Sequence, residues 1–184
     1  MGQLLSGTYA VDAYLDLLVQ LRGVYRALET TNPALVGHPA SAVLDSRLHR
    51  SAAIDADIES LRTGPLPTVT REAAAYAARI KELATSWPAG FVAHHYTRYL
   101  GDIAGGQAIR VALVQTFKLD AGTSFFDFNA LGGFKPFRDR YRATLDVLPL
   151  ADSERLAVAD EAIGAFEHNQ AIFHALAARH VAVA

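Results

Sequence analysis

The sequence predicts an all-α protein that folds as a single domain. Apolar residues recur at steps of three and four along nearly every segment, and no stretch alternates between apolar and polar residues as a half-buried strand would. No internal repeat is present. The chain has 184 residues, of which 51% are hydrophobic and 20% are charged, so it holds enough apolar material for one core and does not have the composition of a disordered chain.

The first two predicted helices are separated by proline-containing breaks. Apolar side chains recur on one face of residues 9–29, which predicts an amphipathic helix there. The Asn-Pro pair at 32–33 and the Gly-His-Pro run at 37–39 end this pattern, because proline removes a backbone donor and restricts the residue before it. A second helix is predicted over residues 41–61, and a proline-rich loop over residues 63–67 follows it.

The remaining elements are also helical. Thr70 is the expected N-cap of an alanine-rich third helix, which ends near the Trp-Pro pair at 87–88. The longest helical pattern follows it and covers residues 90–117. Beyond it the sequence predicts a phenylalanine-rich loop and then two more helices, with the approximate boundaries 119–129, 134–145 and 152–180.

Composition excludes several classes of function. The chain has no cysteine, so it holds no disulfide, no thiolate metal site and no cysteine nucleophile. Its 17 basic residues nearly balance its 19 acidic ones, which argues against a protein dedicated to nucleic acid. No apolar run approaches the roughly 18 residues that span a membrane. We therefore expect a cytoplasmic protein with no nucleic-acid partner and no membrane span.

Three glycines interrupt the longest helical pattern. Gly101, Gly105 and Gly106 are predicted to lie in a helix interior, where each costs about 1 kcal/mol relative to alanine. Gly101 and Gly105 are four residues apart and therefore share a face that carries no side chain. Such a bare strip suits either the close packing of a second helix or the close approach of a flat ligand. Asp102 beside the strip is either a solvated surface residue or the holder of an ordered water.

The residues around these glycines form a long motif that continues in other segments. The motif itself consists of His94, Tyr96-Thr97-Arg98-Tyr99-Leu100-Gly101-Asp102 and Gly105-Gly106-Gln107. Further matching segments, in order, are Leu4-Leu5-Ser6-Gly7, residues 24–29, 125–128 and 137–142, and then Ala165-Phe166, Asn169 and Phe173. Together they resemble the biliverdin-producing heme oxygenases of the soluble bacterial type. The resemblance implies one heme oxygenase-like domain over residues 1–184, a bundle of about six to seven helices.

The resemblance implies both the reaction and its catalytic residues. Heme b would be cofactor and substrate, and oxygen with external electrons would open its ring to biliverdin, carbon monoxide and ferrous iron. Asp102 would order a water chain near the bound oxygen and present a proton there. Arg98 and Tyr25 would complete the polar network, and Gly101 would leave space for oxygen. From the residues alone, Arg98 could equally be a surface ion-pair partner, and Tyr25 a core residue.

Heme-contacting residues are implied on three helices. Arg138 and Arg142 are four residues apart on one face and match basic positions that pair with the heme propionates. Tyr96 is a further candidate at the propionate edge. The other implied contacts are Gly101, Gly105, Gly106, Phe166, Asn169 and Phe173. Gly106 would also let the helix bend, and ordinary core packing remains the alternative for the aromatic residues.

The resemblance also implies an iron-ligating histidine, on a helix that precedes the segment matching Leu4-Leu5-Ser6-Gly7. Met1 falls inside that segment, so the ligand is expected upstream of Met1 and no metal ligand is predicted within this chain. Three explanations stay open: a misassigned translation start, a truncated gene, or a pseudoenzyme that retains the fold. Residues 1–184 are accordingly expected to turn over little heme.

Partners follow from the same resemblance. The family needs an electron donor, either a flavin reductase or a ferredoxin, and Lys135, Arg138, Arg140 and Arg142 form a basic helix that could face an acidic donor. Among other all-α classes, a di-iron bundle needs Glu-x-x-His pairs and a thiaminase-like enzyme needs a cysteine, and the sequence has neither. A heme carrier that binds heme without consuming it remains an alternative.

Overall fold

The computed structural model describes residues 10–30 and 32–180, and these residues contain no β-strand. The predicted all-α fold class is therefore confirmed. The segment Leu4-Leu5-Ser6-Gly7, which carries part of the resemblance, lies outside the described residues. None of the described helices is both long and apolar enough to cross a bilayer. The α-helices are α1 (Val11–Thr30), α2 (Ser51–Leu61), α3 (Arg71–Ser86), α4 (Pro88–Phe117), α5 (Phe134–Asp146) and α6 (Asp152–Arg179).

The second predicted helix is too long at its start. Pro39–Val43 and Ser46–Leu48 form two separate 3-10 turns, and the α-helix begins only at Ser51. His38 and Asp45 each cap one of these turns. The side chain of each accepts a hydrogen bond from the backbone N–H of the residue two positions later, at 3.0 Å for His38 and 2.9 Å for Asp45. Local bonds of this kind compete with helical hydrogen bonding and divide the segment.

Thr70 caps α3 as predicted. Its Oγ1 accepts a hydrogen bond from the Ala73 N–H at 3.1 Å, which satisfies a donor that the first helical turn would leave unpaired. Its own N–H donates to Oε1 of Gln20 at 2.7 Å. Gln20 is fully buried on α1, so the cap also joins α1 to α3. Trp87 alone separates α3 from α4, because Pro88 is favourable at the first position of a helix.

The helices differ strongly in how deeply they are buried. α1 buries residues around most of its circumference, 13 of its 20, and is the central helix of the core. In α5 only Phe137 and Tyr141 are buried among 13 residues. α5 therefore lies on the surface of the bundle, where Phe134 and Leu145 pack partly buried beside the two buried aromatic side chains.

Ion pairs fix α6 near both ends. Oε2 of Glu161 accepts from Arg79 of α3, and its Oε1 is bonded to His94 of α4, both at 2.8 Å. Near the other end, the buried Asp16 of α1 accepts from Arg179 at 3.0 Å. The segment between these two points of attachment is therefore held in a fixed position against α1 and α4.

Candidate functional site

An apolar cavity of about 250 Å³ opens between α4 and α6, beside the central helix. α1 contributes Leu17 and Leu21 to its wall, and α6 contributes Phe166, Asn169 and Phe173. The three α6 residues are the ones that the sequence predicts as heme contacts. Phe166 is 60% exposed, so ordinary core packing does not account for this phenylalanine.

A second cavity of about 210 Å³ adjoins the first at α5. Gly101 and Phe166 line both cavities, whereas Tyr96, Arg138 and Arg142 line only the second. We call the two cavities together the α4–α6 cleft. One end of the cleft is lined mainly by apolar side chains, and the other end carries Arg138 and Arg142. The structure thus brings the predicted propionate-binding residues to the same cleft as the predicted aromatic contacts.

Tyr25, Arg98 and Asp102 form a hydrogen-bonded cluster at the cleft. The Tyr25 hydroxyl donates to Oδ2 of Asp102. Nη2 of Arg98 donates to the Tyr25 oxygen at 3.0 Å and to Oδ1 of Asp102 at 3.3 Å. Nη1 of Arg98 donates to Oδ1 of Asn169 at 2.5 Å. The cluster therefore joins α1, α4 and α6, and it brings together the three residues that the sequence analysis places in one polar network.

Burial changes the acidity of this cluster. The Arg98 and Asp102 side chains are only 8% and 14% exposed. Burial raises the pKa of the Asp102 carboxyl well above its usual range and lowers the pKa of the Arg98 guanidinium. A carboxyl with a raised pKa can hold a proton closer to neutral pH, where an exposed aspartate would be ionised. Asp102 is therefore suited to giving and taking a proton at the wall of the cleft.

Several buried polar atoms beside the cluster have no hydrogen-bond partner among the described residues. They are Nε of Arg98, Oγ1 of Thr97 and the hydroxyl oxygen of Tyr76. Buried polar groups are almost always satisfied, by protein or by ordered water. Arg98 bonds Asp102 and Thr97 lines the cleft with it, so these two residues indicate sites for ordered water at the cleft.

The three glycines of α4 lie in two different environments. A Cβ on Gly101 would meet nothing within 4 Å, and one on Gly105 would reach only Ile109, at 4.0 Å. A Cβ on Gly106 would lie 3.1 Å from the ring of Phe126. Gly101 and Gly105 thus form a bare strip beside open space. The missing side chain of Gly106 makes room for Phe126, and the ligand contact predicted for Gly106 stays a prediction.

Sequence reasoning missed Asp57, which positions part of the cleft wall. Asp57 on α2 is 1% exposed, and its two carboxylate oxygens accept hydrogen bonds from the N–H groups of Ser124 and Phe125, at 2.8 and 2.7 Å. These bonds hold the 3-10 turn Ser124–Phe126, whose two phenylalanines line the cleft. Leu17 and Leu21 were also missed, because an apolar residue on a buried helix face carries no chemical signal.

Replacing Asp57 by alanine is expected to lower the free energy of unfolding by about 3 kcal/mol, because two buried N–H groups lose a charged acceptor. Urea unfolding followed by circular dichroism measures the change. Asp55→Ala on the same helix is the matched control, and it should cost less than about 1 kcal/mol because Asp55 forms only partly exposed ion pairs, with Arg26 at 2.9 Å and Arg22 at 3.9 Å. Equal losses in the two variants would contradict the role of Asp57.

None of the seven histidines lines the α4–α6 cleft. Three of them are engaged elsewhere: His94 pairs with Glu161, Nδ1 of His95 is 2.7 Å from the Tyr141 hydroxyl, and His168 stacks on the Tyr76 ring. No group of three or more potential metal ligands occurs among the described residues. The described residues thus offer no imidazole to a metal in the cleft.

Comparison with known proteins identifies the chain's relatives. The heme oxygenase family model matches residues 1–175. A heme oxygenase from Takifugu rubripes is 34% identical over 181 residues, and the match covers 92% of this chain and 64% of that relative. Heme oxygenase 1 from Nostoc sp. strain PCC 7120 is 31% identical over 184 residues, and the match covers 94% of this chain and 75% of that relative.

Solved structures agree with the sequence comparison. Heme oxygenase-1 from Synechocystis sp. PCC6803, solved in complex with heme, superposes with a TM-score of 0.90 at 29% identity, over 97% of this chain and 83% of that chain. Heme oxygenase-2 from the same organism, solved with heme and NO, gives a TM-score of 0.88 at 31% identity, over 96% of this chain and 76% of that one. By the family match over nearly its whole length, and by a fold shared with these structures, the chain belongs to the heme oxygenase family.

Proposed function

We propose that this chain binds heme b in the α4–α6 cleft and opens its ring to biliverdin, with release of carbon monoxide and ferrous iron. The observation that carries the proposal is the cluster of Tyr25, Arg98 and Asp102, which lies beside the bare surface of Gly101 at the cleft wall. Family membership supports it, and so does the Synechocystis relative of the same fold that was solved with heme.

The cleft has the chemistry that a flat amphipathic macrocycle requires. Apolar side chains from α1 and α6 flank one end, and Phe166 and Phe173 would contact the ring. Arg138 and Arg142 at the other end would pair with the propionates, since guanidinium groups hold carboxylates with two parallel hydrogen bonds. Gly101 would allow the macrocycle to approach the helix backbone closely.

Heme, when bound, supplies the iron that activates oxygen and the porphyrin ring that is opened. Asp102 would give a proton at the cleft and take up another from ordered water, because burial raises the pKa of its carboxyl and so favours the protonated form. Arg98 and Tyr25 would hold the Asp102 carboxyl in one orientation. The unpaired Nε of Arg98 and Oγ1 of Thr97 would bind the waters that return protons to Asp102.

We infer that no side chain of residues 1–184 ligates the iron. All seven histidines lie outside the cleft, and the chain has no cysteine. This observation favours a second candidate function, in which the chain binds heme without turnover. The two functions differ in the fate of the bound heme, because an oxygenase consumes it whereas a heme-binding protein leaves it intact.

We propose that an external electron donor, a flavin reductase or a ferredoxin, approaches the exposed face of α5. The four basic residues predicted for this contact divide into separate environments. Arg138 and Arg142 line the cleft, and Lys135 forms an ion pair with Asp139 at 2.8 Å. Arg140 is exposed and lines neither cavity of the cleft, so it is the candidate contact for an acidic donor on this helix.

The spectral fate of bound heme tests the proposed function. With heme, oxygen, a chemical reductant and free imidazole as an iron ligand, we expect the Soret band to decay while biliverdin absorbance appears. Catalase is added because free hydrogen peroxide also bleaches heme. A Soret band that persists under these conditions would support heme binding without turnover and contradict the oxygenase function.

A further inference from the structure

α5 carries two residues of the cleft although few of its side chains are buried. Arg138 and Arg142 lie one turn apart and line the cleft, whereas only Phe137 and Tyr141 of this helix are buried. The apolar anchors of this helix, the buried Phe137 and Tyr141 with Phe134 and Leu145 partly buried beside them, fix its orientation less sharply than hydrogen bonds do, because apolar contacts are not directional. Something else must therefore fix where the two guanidinium groups lie.

His95 of α4 and Tyr141 of α5 form a buried hydrogen bond. Nδ1 of His95 lies 2.7 Å from the Tyr141 hydroxyl, and the two rings are nearly parallel, with an angle of 9° and centroids 5.8 Å apart. The residues are 3% and 5% exposed. Burial lowers the pKa of His95 to about 3, so the imidazole is neutral at ordinary pH and the contact is a hydrogen bond between neutral groups.

The surroundings of His95 hold its ring in place. Its ring contacts those of Phe91 and Tyr99 on the same helix, with centroids 5.9 and 4.6 Å away. The bond therefore joins a fixed point on α4 to α5. On α5, Tyr141 directly precedes Arg142 and lies three residues after Arg138. A displacement of Tyr141 would thus move both cleft arginines, since all three belong to one rigid helix.

We propose that His95 and Tyr141 are positioning residues for carboxylate recognition, because their hydrogen bond sets the place of α5 on α4 and thereby aims Arg138 and Arg142 into the cleft. The inference rests on the proposed binding of heme and concerns its propionate end. A buried hydrogen bond is directional and is costly to leave unmade, so it supplies the constraint that the apolar anchors of α5 lack.

Iron-free protoporphyrin IX and its dimethyl ester test this inference. The two porphyrins differ only in their carboxylates, and neither requires an iron ligand. Porphyrin fluorescence titration should show that the unaltered chain binds the diacid about tenfold more tightly than the ester, since two arginine–carboxylate pairs distinguish the two. Tyr141→Phe should reduce this preference to about threefold or less, through weaker binding of the diacid with unchanged binding of the ester.

Two substitutions of His95 distinguish a loss of positioning from a general loss of structure. His95→Leu removes the hydrogen bond, whereas His95→Asn places an amide near the position of Nδ1. We expect His95→Leu to behave like Tyr141→Phe, and His95→Asn to restore the preference to within about twofold of that of the unaltered chain. Arg71→Gln controls for a general attraction of the diacid to positive charge, because Arg71 has a 92% exposed side chain on α3, and it should leave the preference unchanged.

Hydrogen exchange of α5 is the second measurement. Tyr141→Phe should speed the exchange of amides in residues 134–146 and leave α1 unaffected. An unchanged diacid preference in both Tyr141→Phe and His95→Leu would overturn the positioning inference and leave heme binding standing. An unaltered chain that binds the two porphyrins equally would also overturn it. An unaltered chain that binds neither would overturn the proposed function as well.

Discussion

Asp102→Asn is expected to reduce biliverdin formation by about two orders of magnitude while the affinity for heme stays within about twofold. Asparagine keeps the size of the side chain and an oxygen that accepts from the Tyr25 hydroxyl. It cannot exchange a proton, however, and proton delivery at the cleft wall is the role assigned to the buried carboxyl. Single-turnover spectra of the heme-loaded variant, with oxygen, reductant and imidazole present, measure the biliverdin yield.

Two further measurements test the role of Asp102, one of peroxidase-like activity and one on a Tyr25 variant. Peroxidase-like oxidation of an added phenol should rise in Asp102→Asn and in Asp102→Ala, because loss of ring opening leaves the activated oxygen free for other reactions. Tyr25→Phe removes the hydroxyl that orients the carboxyl but leaves the carboxyl itself, so we expect an intermediate loss of about tenfold. An unchanged biliverdin yield from heme-loaded Asp102→Asn would contradict the assigned proton role.

Hydrophobic periodicity predicted most of the fold because most of its helices are long. α1, α3, α4 and α6 each present several turns of one pattern, and their approximate positions follow from it. The helix predicted for the segment before α2 was wrong for a physical reason. Val43 and Leu48 are buried as the helical pattern predicts, yet they belong to two short 3-10 turns. Over one or two turns, periods of 3.0 and 3.6 residues select nearly the same positions.

The candidate site was only partly predictable because its parts are distant in the sequence. Tyr25 and Asp102 are 77 positions apart, and periodicity alone does not bring them together. The resemblance to a known family placed the two residues in one polar network, and their side chains are hydrogen-bonded in the structure. Helical spacing turns Gly106 about 100° away from Gly105 but does not say what either glycine faces. The structure separates them, because only Gly106 faces Phe126.

Free imidazole is expected to raise biliverdin formation by residues 1–184 at least about tenfold, because none of the chain's own imidazoles reaches the cleft. His94 is paired with Glu161 and His95 with Tyr141, so neither can turn toward the cleft without breaking a buried hydrogen bond. Imidazole titrations followed by the heme spectrum and by the rate of biliverdin formation measure the effect.

Pyrazole at the same concentrations is the matched control for the imidazole titration, since it has the same ring size but is a much weaker base and iron ligand. His174→Ala tests the exposed histidine of α6, the helix that forms one wall of the cleft, and it should leave the imidazole response unchanged. Robust biliverdin formation without any added base would contradict the inference that no residue of this chain ligates the iron. Loss of that activity in His174→Ala would then identify the ligand as His174, and activity that persists in this variant would direct the search to the six remaining histidines.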